Sequence, residues 1–105
     1  MAKKDSLRGT LDLLVLKILL LRRPLSGYAI NQALVTESRE KLKVRNASLY
    51  PALEKMKKAG WISARKAPHR PGWLWEITED GRAQYGDMKR DWIAFRFAVD
   101  LLLRR

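Results

Sequence analysis

The chain has 105 residues, which is enough for one domain with a modest core, and 47% of them are apolar, as in folded proteins. Its 22 lysines and arginines against 11 aspartates and glutamates give a formal net charge of +11, which favours an anionic partner such as nucleic acid or a membrane surface. The lack of cysteine excludes disulfides, thiolate metal sites and cysteine nucleophiles, and a single histidine argues against a histidine-based metal site or a Ser-His relay.

The first predicted element is a helix from about Gly9 to Arg22, which Thr10 or Ser6 caps and Pro24 ends. Its apolar stripe at helical spacing consists of Leu11, Leu14, Val15 and Ile18. The apolar run is about half as long as a membrane span, and two charged residues interrupt it. The pattern therefore predicts a helix buried on most sides and no membrane segment.

The second predicted helix runs from about Gly27 to Glu37 and is capped by Ser26. Its buried stripe is Ile30, Ala33 and Leu34. The following segment, Arg39–Arg45, alternates between apolar and basic residues. This alternation is a weak indication of a short edge strand.

The third predicted helix is capped by Asn46 and ends before Gly60. Leu49, Leu53 and Met56 form its buried stripe. Pro51 lies about one turn inside this helix and has no N–H group to donate to the carbonyl of Ala47. Two outcomes follow from this proline: either the first turn is distorted, or the helix begins later.

Two strands are predicted next, Trp61–Lys66 and Trp73–Thr78. Along the second strand Trp73, Trp75 and Ile77 share one face. The segment between the strands, Ala67–Gly72, contains two prolines and a glycine, which cannot continue a ladder. It is therefore predicted to be the tip of a hairpin.

The last predicted helix is capped by Thr78 and runs from about Glu79 to Leu103, with Gly81 and Gly86 weakening its start. Its apolar residues recur at alternating steps of three and four, the a/d pattern of a coiled coil: Tyr85, Met88, Trp92, Phe95, Val99 and Leu102. A chain this short has little else to cover such a surface. We therefore expect a second copy to cover it, in a homodimer whose interface is this set of residues.

The order of elements is that of a winged helix-turn-helix: mainly α with a small β-hairpin, an α+β fold. We expect a DNA-binding domain at residues 1–80 and a dimerisation helix at 81–105. In this fold one helix enters the major groove of double-stranded DNA and the wing reaches the backbone or minor groove. Groups suited to base edges or phosphates occur at the start of the third helix and on the hairpin: Arg45, Asn46, Ser48, Tyr50, Arg65, Lys66, His69 and Arg70.

Five stretches match a known pattern: Gly9–Leu16, Leu25–Ile30, Ala47–Leu53, Gly60–Ile62 and Ile77–Gly81. In these residues, and in their order, the chain resembles the PadR-type transcriptional regulators of bacteria. The Ser-Leu-Tyr-Pro-Ala-Leu run of the third stretch is quite specific, whereas each of the others alone is weak. The long helix that follows resembles the single C-terminal helix of the shorter PadR-like proteins.

The resemblance implies a winged-helix dimer that binds a pseudo-palindromic operator and usually represses. The lack of cysteine separately fits a reducing, cytoplasmic location. It places base and phosphate contacts on Ser48, Tyr50 and neighbouring residues of the third helix, on Tyr28, and on the hairpin tip. The chain departs from the family at Trp73 and Trp75, where relatives more often have Arg or Tyr. Of the DNA contacts that the resemblance implies, those of the wing are therefore the least supported.

Each of these assignments has a structural alternative. Ser48 and Tyr50 can bond to the protein's own backbone, and Tyr28 can pack between helices. Lys55, Lys57 and Lys58 can form a solvated helix face, of which at most one, assigned here to Lys55, contacts phosphate. On the seam of the last helix, paired copies of Trp92 and Phe95 either line a pocket for a flat apolar effector or simply fill the dimer core.

The net charge of +11 is also compatible with other classes of function. A nonspecific basic RNA- or ribosome-associated protein would be a monomer whose exposed aromatic side chains stack on unpaired bases. A protein anchored to a membrane surface by its last helix is disfavoured because Asp91 and Asp100 oppose anionic lipid. No phosphate-binding glycine-rich loop, metal-spaced cluster or nucleophile with a base occurs, so we expect neither an enzyme nor a cofactor.

Overall fold

The computed structural model describes residues 9–105, which form four helices and one antiparallel hairpin. In chain order these are α1 (Thr10–Leu21), α2 (Gly27–Glu37), α3 (Asn46–Lys58), β1 (Ile62–Lys66), β2 (Trp73–Ile77) and α4 (Glu79–Leu103). The predicted fold class, mainly α with one β-hairpin, is confirmed. Within the described range, no helix is both long and apolar enough to cross a membrane.

One hydrophobic core joins α1, α2, α3 and the hairpin. Its buried residues are Val15, Leu16, Ile18, Leu19, Ile30, Ala33, Leu34, Leu49, Leu53, Met56, Ile62, Trp75 and Ile77. Fully burying a side chain of leucine or isoleucine size stabilises a fold by roughly 1.5–3 kcal/mol. The predicted stripes of α2 and α3 are all buried here, as are Val15 and Ile18 of α1, because helical spacing places them on one face.

Hydrogen bonds at the helix starts confirm two predicted caps. The Ser26 hydroxyl accepts from the Ala29 N–H at 3.1 Å at the start of α2. The Thr78 hydroxyl accepts from the Gly81 N–H at 3.0 Å and donates to the Gly60 carbonyl at 2.6 Å. At α1 the N-cap position is occupied by Gly9, so Thr10 is the first helical residue instead of the cap. Ser6 lies outside the described residues.

The predicted cap at Asn46 is wrong. Arg45 occupies the N-cap position of α3 and Asn46 is the first helical residue. The side-chain oxygen of Asn46 accepts a hydrogen bond from Asn31 Nδ2 at 3.3 Å instead of one from its own helix. Pro51 is accommodated within α3, which is continuous from Asn46, so the helix does not begin later. Pro51 has no N–H to donate to the carbonyl of Ala47. Ala47 is exposed, so water can donate to this carbonyl instead.

The predicted edge strand at Arg39–Arg45 is also wrong, because this segment forms a turn and an irregular loop. Arg39 and Glu40 have φ angles of 55° and 65°, which are incompatible with an extended strand. Leu25 takes the free edge of β2 instead: its N–H donates to the Trp75 carbonyl at 3.1 Å, and the Trp75 N–H donates back at 2.7 Å.

A close backbone approach fixes the start of α4. A Cβ atom on Gly81 would lie 2.0 Å from the carbonyl oxygen of Trp61, so this position requires glycine. The same carbonyl accepts from the Thr78 N–H at 3.0 Å. Gly81 therefore allows α4 to dock against the base of the hairpin. We predicted a weakened helix start from the low helix propensity of glycine, and this docking contact outweighs that cost.

The two parts of α4 have different surroundings. Tyr85 and Met88 pack against the core of their own chain, and Lys17 Nζ lies 5.8 Å from the centre of the Tyr85 ring. From Trp92 onward no residue of α4 is buried, although most of them are apolar. The exposed large side chains of this part are Ile93, Phe97, Leu101, Leu102 and Leu103. A helix that is apolar on most sides normally requires a covering partner.

Candidate nucleic-acid interface

The start of α2, the exposed side of α3 and the tip of the hairpin meet around one open cleft of about 390 Å³. Its lining residues are Ser26, Gly27, Tyr28, Tyr50, Glu54, Arg70, Pro71, Gly72, Trp73 and Trp75. The fold thus brings together three predicted contact residues, Tyr28, Tyr50 and Arg70, from elements that are distant in sequence.

Gly27 makes the contact between α2 and α3 possible. A Cβ atom at this position would lie 2.5 Å from the hydroxyl oxygen of Tyr50, so the tyrosine ring lies directly against the glycine backbone. Tyr28, the next residue, is 71% exposed, which contradicts the alternative that it packs between helices. Both phenol groups are available at the surface of the cleft, since Tyr50 is also exposed.

The exposed side of α3 has two flanks. Arg45, Asn46 and Ser48 are exposed at its start, as predicted for groups that contact DNA. Ser48 borders a second shallow cleft on the α1 side and Tyr50 borders the main one, because two residues are about 200° apart around a helix.

Between the two flanks lie Ala47, Pro51, Glu54 and Lys58, all of them exposed. Among these Glu54 is a lining residue of the main cleft that we did not predict. Glu54 follows Ala47 by seven residues, which places both on the same side of α3, so helical spacing could have predicted this position.

The hairpin presents its predicted contact residues to solvent. Arg65, Lys66, His69 and Arg70 are all exposed. Arg65 Nη2 lies 3.8 Å from Glu76 Oε2 on the neighbouring strand, a surface pair that contributes little to stability and leaves the guanidinium accessible. The turn is closed by the Ala67 N–H, which donates to the Gly72 carbonyl at 3.0 Å. A short hairpin with an ordered, basic tip results.

Lys55 has a partner inside the protein. Its Nζ atom lies 2.8 Å from Oδ2 of Asp12, whose carboxylate is almost fully buried at the start of α1. A buried carboxylate without a cation is costly, so this pair ties the last part of α3 to α1. This contact gives Lys55 a structural role, so Lys55 is not part of the proposed DNA interface.

Asn31 was not predicted as a functional residue, yet it positions the start of α3. Its Nδ2 group donates to the Val44 carbonyl at 2.8 Å and to Asn46 Oδ1 at 3.3 Å. The loop that enters α3 is thereby held against α2. A lone asparagine within a helix gives no sequence signal for such a contact, because its partners lie 13 and 15 residues away.

The predicted seam on α4 is divided in the structure. Tyr85 and Met88 contact their own domain, whereas Trp92, Phe95 and Val99 are half-buried and Leu102 is exposed. The Arg96 guanidinium lies 5.6 Å from the centre of the Trp92 ring. The part of the seam that is available to a second copy therefore begins at Trp92.

Comparison with known proteins identifies the family. The model of the PadR-like transcriptional regulators matches residues 15–87. Among solved structures, a transcriptional regulator from Clostridium thermocellum is 22% identical, with a TM-score of 0.83 over 91% of this chain and 95% of that one. A PadR-like transcriptional regulator from Bacillus cereus is 26% identical, with a TM-score of 0.76 over 96% of this chain and 98% of the other.

A third structure, Bacillus subtilis PadR in complex with operator DNA, is 24% identical. Its TM-score is 0.63, and the match covers 73% of this chain and 44% of that one. At this identity the likeness shows the shared fold. Because the family model matches more than half of the sequence, the chain belongs to the PadR-like family of transcriptional regulators.

Proposed function

We propose that this protein is a sequence-specific DNA-binding regulator that acts as a homodimer on a pseudo-palindromic operator. One observation supports it above the others: the exposed tyrosines, the exposed side of α3 and the basic tip of the hairpin surround a single cleft. This is the arrangement that a winged helix needs to contact adjacent grooves of one duplex. The fold shared with PadR of Bacillus subtilis, solved with operator DNA, agrees with it.

In the proposed complex α3 lies in the major groove, which is wide enough for one helix. Ser48 and Tyr50, one on each flank, contact base edges or phosphates, and Arg45 and Asn46 contact the backbone at the helix start. The positive end of the helix dipole favours phosphate at the start of α3. No acidic residue in the first turn of the helix opposes this attraction. Tyr28 extends the same surface from α2.

The wing contributes the electrostatic part of binding. Arg65, Lys66, His69 and Arg70 reach the backbone or the adjacent minor groove, and the formal net charge of +11 supplies a general attraction to DNA. Each phosphate that a side chain neutralises releases counterions, so affinity falls as salt rises.

The dimer is proposed to form through α4. Trp92, Phe95, Val99 and Leu102 of two copies pair along the seam, and the two α3 helices then contact half-sites about 34 Å apart. Occupying a promoter in this way blocks polymerase, which makes the protein a repressor. The prediction that Trp92 and Phe95 line a pocket for a flat apolar effector concerns this same seam and stays a prediction.

The test is binding to the DNA upstream of the protein's own gene, measured by footprinting and by titration at several salt concentrations. Arg70→Ala is expected to lower affinity about tenfold and to reduce the magnitude of the slope of log K against log salt by about 1.8, because each of the two copies in the proposed dimer loses one phosphate contact. Arg82→Ala is the matched control, since it removes the same charge from an exposed site on α4 outside the cleft.

The control variant should bind as the wild type does. Equal affinity for all sequences, or tighter binding to unpaired RNA than to duplex DNA, would contradict the proposal.

A further inference from the structure

One face of β2 extends past the edge of the core. Trp75 and Ile77 are 4% and 8% exposed, whereas Trp73 on the same face is 52% exposed. Residues two apart on a strand are about 6.6 Å apart, so Trp73 lies one step beyond the packed interior, at the base of the wing. The strand thus places a large aromatic side chain at the surface of a highly charged protein.

Trp73 is also clustered with other exposed aromatic residues. Before α4, five large apolar or aromatic side chains of the described residues are exposed, and Tyr28, Tyr50 and Trp73 are three of them. All three line the main cleft, together with the Arg70 side chain. Exposed side chains of this kind usually occur singly, so their clustering indicates a contact surface.

The chemistry of this cluster narrows what it can contact on a duplex. The faces of paired bases are covered by stacking, which leaves phosphates and the apolar C–H groups of deoxyribose along the backbone and minor groove. Arg70 suits a phosphate, and Trp73, which lines the same cleft, suits a sugar. Many protein–DNA contacts are to phosphate and sugar, and apolar side chains are used in minor grooves.

We infer that Trp73 is a DNA-contacting residue of the wing, whose indole packs on a deoxyribose beside a phosphate bound by Arg70. The inference rests on the proposed DNA-binding function and adds a distinct term to it. Because an indole neutralises no phosphate, its contribution to affinity is independent of counterion release. The contribution of Trp73 to the binding free energy is therefore independent of salt. The contribution of the neighbouring cations, in contrast, weakens as salt rises.

The experiment compares wild type, Trp73→Ala, Trp73→Phe and Arg70→Ala on duplex promoter DNA across a salt series. Trp73→Ala is expected to weaken binding about tenfold at every salt concentration, with an unchanged slope. Trp73→Phe should recover most of the loss because it keeps a ring. Arg70→Ala should instead lower the magnitude of the slope by about 1.8, since both copies of the proposed dimer lose a phosphate contact. Since Trp73 is half-exposed, circular dichroism and the unfolding midpoint of its variants should match the wild type.

The outcomes separate the two ideas. If the wild type fails to bind duplex DNA, the proposed function is wrong. If the wild type binds but Trp73→Ala binds within twofold of it at all salt concentrations, the inference alone is overturned. It is equally overturned if Trp73→Ala changes the salt slope as Arg70→Ala does, or if the variant loses affinity for single-stranded DNA but not for the duplex, which would indicate base stacking.

Discussion

The seam residues in the two halves of α4 follow the same helical spacing but are buried differently. Tyr85 and Met88 pack on the core of the winged domain, whereas the large side chains from Ile93 to Leu103 are mostly exposed. Helical period alone does not distinguish these two regions. The difference lies in the elements nearby: α1 and the hairpin lie against the first turns, whereas within residues 9–105 no residue of α4 from Trp92 onward is buried. The first region packs on the core of its own chain, and the second is the surface through which we propose that two copies pair.

Breaking the second region should give the largest effect. Val99→Asp places a carboxylate in the proposed seam of both copies, where each would be desolvated without a cation. We expect the dimer dissociation constant to rise by about a hundredfold or more, with sedimentation as a 12.2 kDa monomer. Arg90→Asp, which puts a carboxylate on another face of α4, is the control and should remain dimeric. A Val99→Asp protein that sediments as the wild type would refute the seam.

The first region can be tested at the start of α4. Gly81→Ala forces a Cβ atom onto the Trp61 carbonyl and should lower the free energy of unfolding by about 1–3 kcal/mol. At Gly86 the nearest atom to an added Cβ is Arg90 Nη1 at 3.9 Å, so Gly86→Ala should instead raise it by about 0.5–1 kcal/mol. Urea unfolding at one protein concentration measures both. Equal effects of the two alanines would mean that helix propensity, not docking, governs this part of α4.

The smallest effect concerns how the domain holds α3. Lys55→Met leaves the buried carboxylate of Asp12 without its cation and should cost about 1–2 kcal/mol in unfolding free energy. Lys58→Met, a change of the same kind at an exposed site nearby, should stay within about 0.5 kcal/mol of the wild type. If Lys55 instead contacts phosphate in both copies of the proposed dimer, its loss would reduce the magnitude of the salt slope of DNA binding by about 1.8. We expect that slope to be unchanged.

Elements that depend on local pattern were predictable from the sequence. The bounds of α2 and α4 follow from Ser26, Thr78 and helical spacing, and both strands were predicted to within one residue. The errors involve distant partners. Leu25, and not Arg39–Arg45, pairs with β2, and the Asn46 side chain bonds to Asn31 on another helix. No short window of sequence contains both members of such a pair.

The candidate site divides in the same way. The residue types on α3 and on the hairpin indicated contacts to phosphate and bases, and the fold places Tyr50 and Arg70 at one cleft. The sequence could not reveal that Gly27 receives the Tyr50 ring, because that depends on how α2 crosses α3. Lys55 looked like its neighbours Lys57 and Lys58, and only the position of Asp12 distinguishes it.

The last contact of α4 with the hydrophobic core is at Met88. The remainder of the helix can therefore be replaced without disturbing the core. If two copies pair through this part of α4 as proposed, a different segment grafted after Asp91 would leave each winged domain intact while changing the separation and angle between the two. Altering about three turns of helix would then change the proposed half-site spacing without changing any residue proposed to contact DNA.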